Sequence, residues 1–151
     1  MLFEILNALS TLVLGIFLGA QITEGVLLVP YWKSLAPKGF FELHRTYGKK
    51  IHRFFAPLTI AATIVPLLTV TYGCLINIQG KLSLILMGFS TIVFFSTYFL
   101  YFKKANEQFA EASVPYNLLP RELNRWENWH WGRIFFELMA FVCSIKVLAE
   151  I

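Results

Sequence analysis

Hydrophobic positions arrive in four long blocks along the chain, and polar stretches of very different length separate them. The first block runs from about Ile5 to Trp32, the second from Phe54 to Ile76, the third from Leu82 to Phe102 and the fourth from Gly132 to Leu148. Each is near the roughly twenty residues that a helix needs to cross the hydrocarbon core of a bilayer. Strand-like alternation is absent, so the pattern predicts an all-α fold. It reads as a single transmembrane domain over residues 1–151, an integral membrane four-helix bundle. Amphipathic interfacial helical segments are expected in the first and third loops.

The first loop is the most basic stretch: Lys33, Lys38, Arg45, Lys49, Lys50 and Arg53 are opposed only by Glu42, and His44 and His52 lie among them. A surface-lying helix is expected from Gly39, because Phe40, Phe41, Leu43 and Tyr47 alternate with the cations. Pro57 falls in the first turn of the second block, where a missing amide donor costs least, and Pro66 is expected to kink the middle of that helix. Residues 77–81 read as a tight turn. After Lys103 and Lys104 the chain is polar to Leu123, with Val114-Pro115 ending one helix and Pro120-Arg121 opening the next.

Composition sharpens this picture. The chain is 57% hydrophobic and 15% charged, with a mean hydropathy of +0.62, whereas soluble domains carry about a quarter charged residues. The net charge of +4 does not point to nucleic acid, because the cations sit between spans and not on a soluble face. They read as topology signals: Lys and Arg crowd the first and third loops, while Lys81 and Lys146 alone lie on the other side. The positive-inside rule then places both long loops in the cytoplasm and both termini outside. The N-terminal apolar run has no preceding Lys or Arg and exceeds a signal-peptide core, so it reads as a retained helix. Cys74 and Cys143 lie in apolar segments without metal or redox spacing and read as buried packing residues. Gly15 and Gly19 place small residues on the first helix, where a second copy of the chain is able to pack.

Candidate chemistry gathers on one side. On a helix, Glu127, His130, Arg133 and Glu137 form one stripe at spacings of three, three and four, and Trp126, Trp129 and Trp131 mark its entry into the headgroup layer. Glu24 lies one to two turns inside the first span, where a carboxyl has to be protonated, paired or metal-bound. Together with these, His44 and His52 complete the three histidines of the chain on the same side. Imidazole and carboxylate together suit iron or copper, with zinc or manganese as further options. A Glu-x-x-His pair, here Glu127 and His130, is used in di-metal carboxylate bundles, which use it twice; no second pair occurs. The proposed metal ligands are therefore Glu24, His44, His52, Glu127 and His130, with Arg133 and Glu137 orienting a ligand or acting on a substrate. A bis-histidine haem between His130 and His44 or His52 is a lesser option. Without a metal, Arg45, Arg53 and Arg133 would pair with Glu24 and Glu137 and bind an acidic or phenolic amphiphile, with neutral His130 accepting a hydrogen bond or a proton.

The Pro30-Tyr-Trp end of the first helix, the Asn117 turn and Trp126-x-x-Trp129-His130-x-x-Arg133 give the chain a resemblance to a known family. It resembles the anthrone oxygenase-like family of small four-helix membrane proteins. The resemblance implies oxygenation of a polycyclic phenolic compound and points to Asn117, Trp129, His130 and Arg133. The chain departs from that family in its histidine-bearing basic segment, His44 to Arg53. The expected function is a membrane-embedded, metal-dependent oxidoreductase or oxygenase acting on a small lipophilic substrate that enters from the bilayer. The alternative is a non-enzymatic bundle that binds or passes a small molecule, or serves as a subunit of a larger assembly.

Overall fold

The structure is a computed structural model that describes residues 1–79 and 81–150. Its described residues form four long helices and no strand: α1 (Leu2–Ser34), α2 (Pro37–Leu75), α3 (Lys81–Ala110) and α4 (Leu119–Glu150). The first three are 33, 39 and 30 residues long and apolar enough to cross a membrane. α4 is as long, at 32 residues, but Arg133, Glu137 and Lys146 interrupt its apolar run.

The first loop differs from its expected form. Only residues 35–36 stay outside helix, both extended, and the basic stretch from Lys38 to Arg53 is the opening of α2 instead of a separate surface helix. Pro37, at the first position of α2, explains the restart, because its fixed φ suits a helix start and it disfavours helix for the residue before it. Pro57 is consequently interior and not in a first turn, and α2 runs through both Pro57 and Pro66 without interruption. Likewise, residues 103–110 continue α3 and residues 119–131 open α4, so the third connection is reduced to 111–118.

The C-terminal exits of α2 and α3 use the same device. Ile78 N bonds Gly73 O and Asn77 N bonds Cys74 O, while Ser113 N bonds Gln108 O and Ala112 N bonds Phe109 O. These are the six-to-one and five-to-two bonds of a Schellman cap, with the left-handed residue supplied by Asn77 (φ 56°) and Ala112 (φ 53°). Asparagine tolerates that conformation; alanine sits there against its preference.

α1 packs against α2 and α4, and α3 packs against the same two helices. Contacts run antiparallel. Phe3 lies against Gly73, Ser10 Oγ bonds Thr69 Oγ1 at 2.8 Å, Asn7 Nδ2 donates to Ser144 O at 3.1 Å, and Lys33 reaches Glu127. Gly73 marks the closest approach, since a Cβ there would fall 2.6 Å from the Phe3 ring and 2.8 Å from Leu84. Gly15 is used in the same way: its Cβ would lie 3.0 Å from the Phe141 ring of α4, so it faces a neighbour in its own chain. Gly19 alone of that pair is exposed. Cys74 is also exposed, at the end of α2, while Cys143 is buried.

Apolar burial forms two clusters. One joins Val29, Trp32, Phe40, Phe102, Phe109 and Trp126 near the short first loop; the other joins Phe3, Leu14, Phe17, Met87, Phe94 and Ala140 toward the chain ends. Between these clusters α1 and α4 bury four polar residues, Gln21, Glu24, His130 and Glu137, beside Leu18 and Ile134. Outside, every helix exposes large apolar residues, among them Ile16, Ile64, Phe89 and Phe135.

Candidate functional site

The polar layer is held by α1 and α4. Gln21 and Glu24 are three apart on α1, and His130, Arg133 and Glu137 follow at three and four on α4, so each helix turns its set toward the other. Gly25 permits the approach. A Cβ on it would sit 3.1 Å from the His130 and Trp131 rings. At Glu24–Leu28, α1 adopts a π-helical turn, and α3 has a second one at Tyr98–Phe102. Such turns re-aim side chains and are frequent at functional sites. Here both abut the same turn of α4: Arg133 lies over the Phe102 ring at 4.2 Å and Tyr101 stacks on Trp129 at 5.1 Å.

His130 is fully buried, and its ring stacks on Trp126 with centroids 4.9 Å apart. Its Nε2 lies 2.9 Å from the Gln21 carbonyl oxygen, which only accepts, so Nε2 carries the hydrogen. Nδ1 then accepts from Arg133 Nη2 at 3.0 Å. The same guanidinium nitrogen donates to Gln21 Oε1 and lies 3.7 Å from Glu24 Oε2, which is 3.8 Å from His130 Nδ1. Arg133 is thus the hub: it bridges the Gln21 amide, the His130 imidazole and the Glu24 carboxylate. Glu137, one turn further along α4, is fully buried, and neither of its oxygens has a hydrogen-bond partner; Arg133 Nε is also unpartnered.

The other sequence candidates lie elsewhere. Glu127 leaves the stripe and bonds Lys33 Nζ at 2.7 Å in a partly exposed pair. His44 packs against Phe40, Trp32 and Phe109 in the first apolar cluster, with Nδ1 3.0 Å from Phe40 O. Burial lowers its pKa from the ordinary 6.5, partly offset by that backbone bond. His52, Arg53 and Asn117 are exposed, and Trp129 is occupied by its stack on Tyr101. Arg45 is exposed as well and pairs with neither Glu24 nor Glu137.

The donor set was tested against a metal. Of the five expected ligands only Glu24 and His130 meet, and Glu127, His44 and His52 are not with them. No group of three or more His, Cys, Asp or Glu side chains placed to hold a metal ion occurs among the described residues. The reason is visible in the contacts. A cation, the Arg133 guanidinium, already lies between Glu24 and His130, and both imidazole nitrogens are engaged. The residues do not fit a metal centre, and a bis-histidine haem has no second histidine beside His130.

Gln21 is the site residue that sequence reasoning missed as such. A glutamine amid apolar residues, one turn from Glu24, was the available signal. Two cavities of about 310 and 420 Å³ lie between the start of α2 and its surroundings; Tyr31 and Tyr47 line the first, Lys38 and Tyr116 the second, and the buried layer lines neither. No protein-family model, curated protein or solved structure matches the chain.

Proposed function

We propose that the chain is an integral membrane four-helix bundle whose α1–α4 layer binds a small lipophilic acid, phenolic in class, and takes a proton from it. The observation that carries this is the Arg133 hub, its guanidinium set between buried Glu24 and buried His130. Ionisable groups at bilayer depth each cost about 2.5–3.5 kcal/mol on insertion scales, and are retained chiefly where they bind or move charge. Four spans fit the exposed apolar residues on every helix, α4 included. The positive-inside rule then puts the basic ends, where Lys33, Arg45 and Lys104 lie, in the cytoplasm.

In this reading each residue has one task. Arg133 stabilises the oxygen anion, Glu24 accepts the proton, and His130 with Gln21 fixes the guanidinium in place. Trp126 and Phe102 supply flat apolar surface beside it. Oxygenation of a polycyclic phenolic compound is the reaction that the family resemblance implies, and deprotonation is the step these residues are suited to begin. A non-enzymatic carrier for the same ligand class uses the same contacts, and the layer's closure between two apolar clusters favours it over an open active site.

The test is optical titration of 2-naphthol with protein in lipid nanodiscs, at a pH where free naphthol is neutral. Wild type is expected to develop the naphtholate spectrum, and Arg133→Gln to lose it. A spectrum of neutral naphthol with wild type, or equal spectra for both proteins, contradicts the proposal. Oxygen uptake with an anthrone then separates enzyme from carrier.

A further inference from the structure

Two carboxyls, Glu24 and Glu137, are buried beside one guanidinium. Glu24 is the nearer, with Oε2 at 3.7 Å from Arg133 Nη2; Glu137 has neither a donor nor an ion pair. One positive charge neutralises one carboxylate. A second ionised carboxylate, with no cation and no donor, is not sustained in such surroundings. Among the described residues the facing elements offer no cation: the buried polar side chains of α2 and α3 are the hydroxyls of Thr63, Thr69, Ser90, Thr91, Thr97 and Tyr101, none of them bonded to Glu137, and His130 has both nitrogens engaged.

Building on the binding and proton-transfer reading above, we propose that Glu137 is the acid of an acid–base pair: a neutral carboxylic acid near Arg133, with Glu24 as the carboxylate that Arg133 neutralises. Two carboxyls held in opposite protonation states let one site take a proton and return another. With a phenol at Arg133, its O–H bond breaks, the proton joins Glu24 and the electron pair stays on the phenolate oxygen. Glu137 then donates its proton to a second basic oxygen of the bound molecule and is left as carboxylate. The proton on Glu24 resets it. Neither transfer requires an oxidant, and the ligand class implied is a phenol with a second oxygen function, such as a quinoid carbonyl.

Infrared spectroscopy of ligand-free protein in nanodiscs tests this, because a neutral carboxylic acid has a carbonyl stretch separate from carboxylates and amides that shifts in D₂O. At neutral pH, one such band is expected, shifted by ¹³C-glutamate labelling. The label shift is retained in Glu24→Asp, whose carboxylate still neutralises Arg133, and lost in Glu137→Asp, where the neutral acid is an aspartic acid. Arg133→Gln is expected to add a second label-sensitive band, as Glu24 loses its counter-ion. No label-sensitive band in wild type, or a label shift lost in Glu24→Asp, overturns the proposal. Should Glu137→Asp fail to fold, the wild-type and Glu24→Asp spectra decide the question between them. Because no ligand is present, failure of naphthol binding leaves this result standing, and the reverse also holds.

Discussion

Arg133 donates a hydrogen bond to His130 Nδ1 across 3.0 Å, from one turn away on the same helix. That contact requires a lone pair on Nδ1, and the Gln21 carbonyl requires the hydrogen on Nε2, so the imidazole is neutral and its tautomer fixed from both sides. His130 therefore acts as a spacer that aims the guanidinium at Glu24. Its burial against Trp126 keeps it there.

The approach of α1 to α4 rests on Gly25. Gly25→Ala places a Cβ 3.1 Å from the His130 and Trp131 rings, and relieving such overlap costs about 1–3 kcal/mol. Gly19→Ala, with nothing within 4 Å of its added carbon, is expected to be neutral or to gain up to about 1 kcal/mol from helix propensity. Unfolding in lipid nanodiscs compares the two. Equal stability of both variants would show that the helices do not meet at Gly25.

Ala112 occupies a left-handed position that closes the cap of α3. Ala112→Gly is expected to stabilise the protein by about 1 kcal/mol, because the left-handed backbone costs an L-residue roughly 1–2 kcal/mol and glycine almost nothing. Denaturation midpoints read the difference. A loss of stability would mean that residue 112 is not left-handed.

His44 lies ahead of the apolar part of α2, outside the proposed spans, and burial lowers its pKa below 6.5. An unfolded chain binds a proton near pH 6.5 and the folded one only at lower pH. The stability gained from neutral His44 is thus complete above pH 6.5 and declines as pH falls toward the folded value. NMR titration is expected to give His44 a midpoint below the ordinary 6.5, and His44→Phe to flatten the acid decline in stability. A midpoint at the ordinary value would place His44 in solvent.

The fold was largely legible because bilayer-length apolar runs impose helices whatever their partners. The three long apolar helices contain the expected first, second and third segments, and α4 contains the fourth. Where the helices begin was less legible: the cations from Lys38 to Arg53 look like a loop by charge, yet long basic side chains suit an exposed helical extension as well as a loop. Glu127 illustrates the limit for the site. Its spacing to His130 put it on the stripe, but Lys33 from α1 draws it to the surface, and no periodicity within α4 announces a partner on another helix. Glu24 was conspicuous as a carboxyl in an apolar run, whereas Gln21 carried no charge to draw attention. The metal reading relied on donor types alone, and it fails on the position of a guanidinium that spacing does not fix.

The central claim is that Glu24 and Arg133 form one buried unit across α1 and α4. A double-mutant cycle with Glu24→Gln, Arg133→Gln and the double variant, read as unfolding free energy in lipid nanodiscs, measures it directly. Each single substitution strands a buried group and is expected to cost about 3–5 kcal/mol, while the double variant strands neither charge, giving a coupling of roughly 1–3 kcal/mol. Strict additivity, with no coupling between the two positions, would contradict the account.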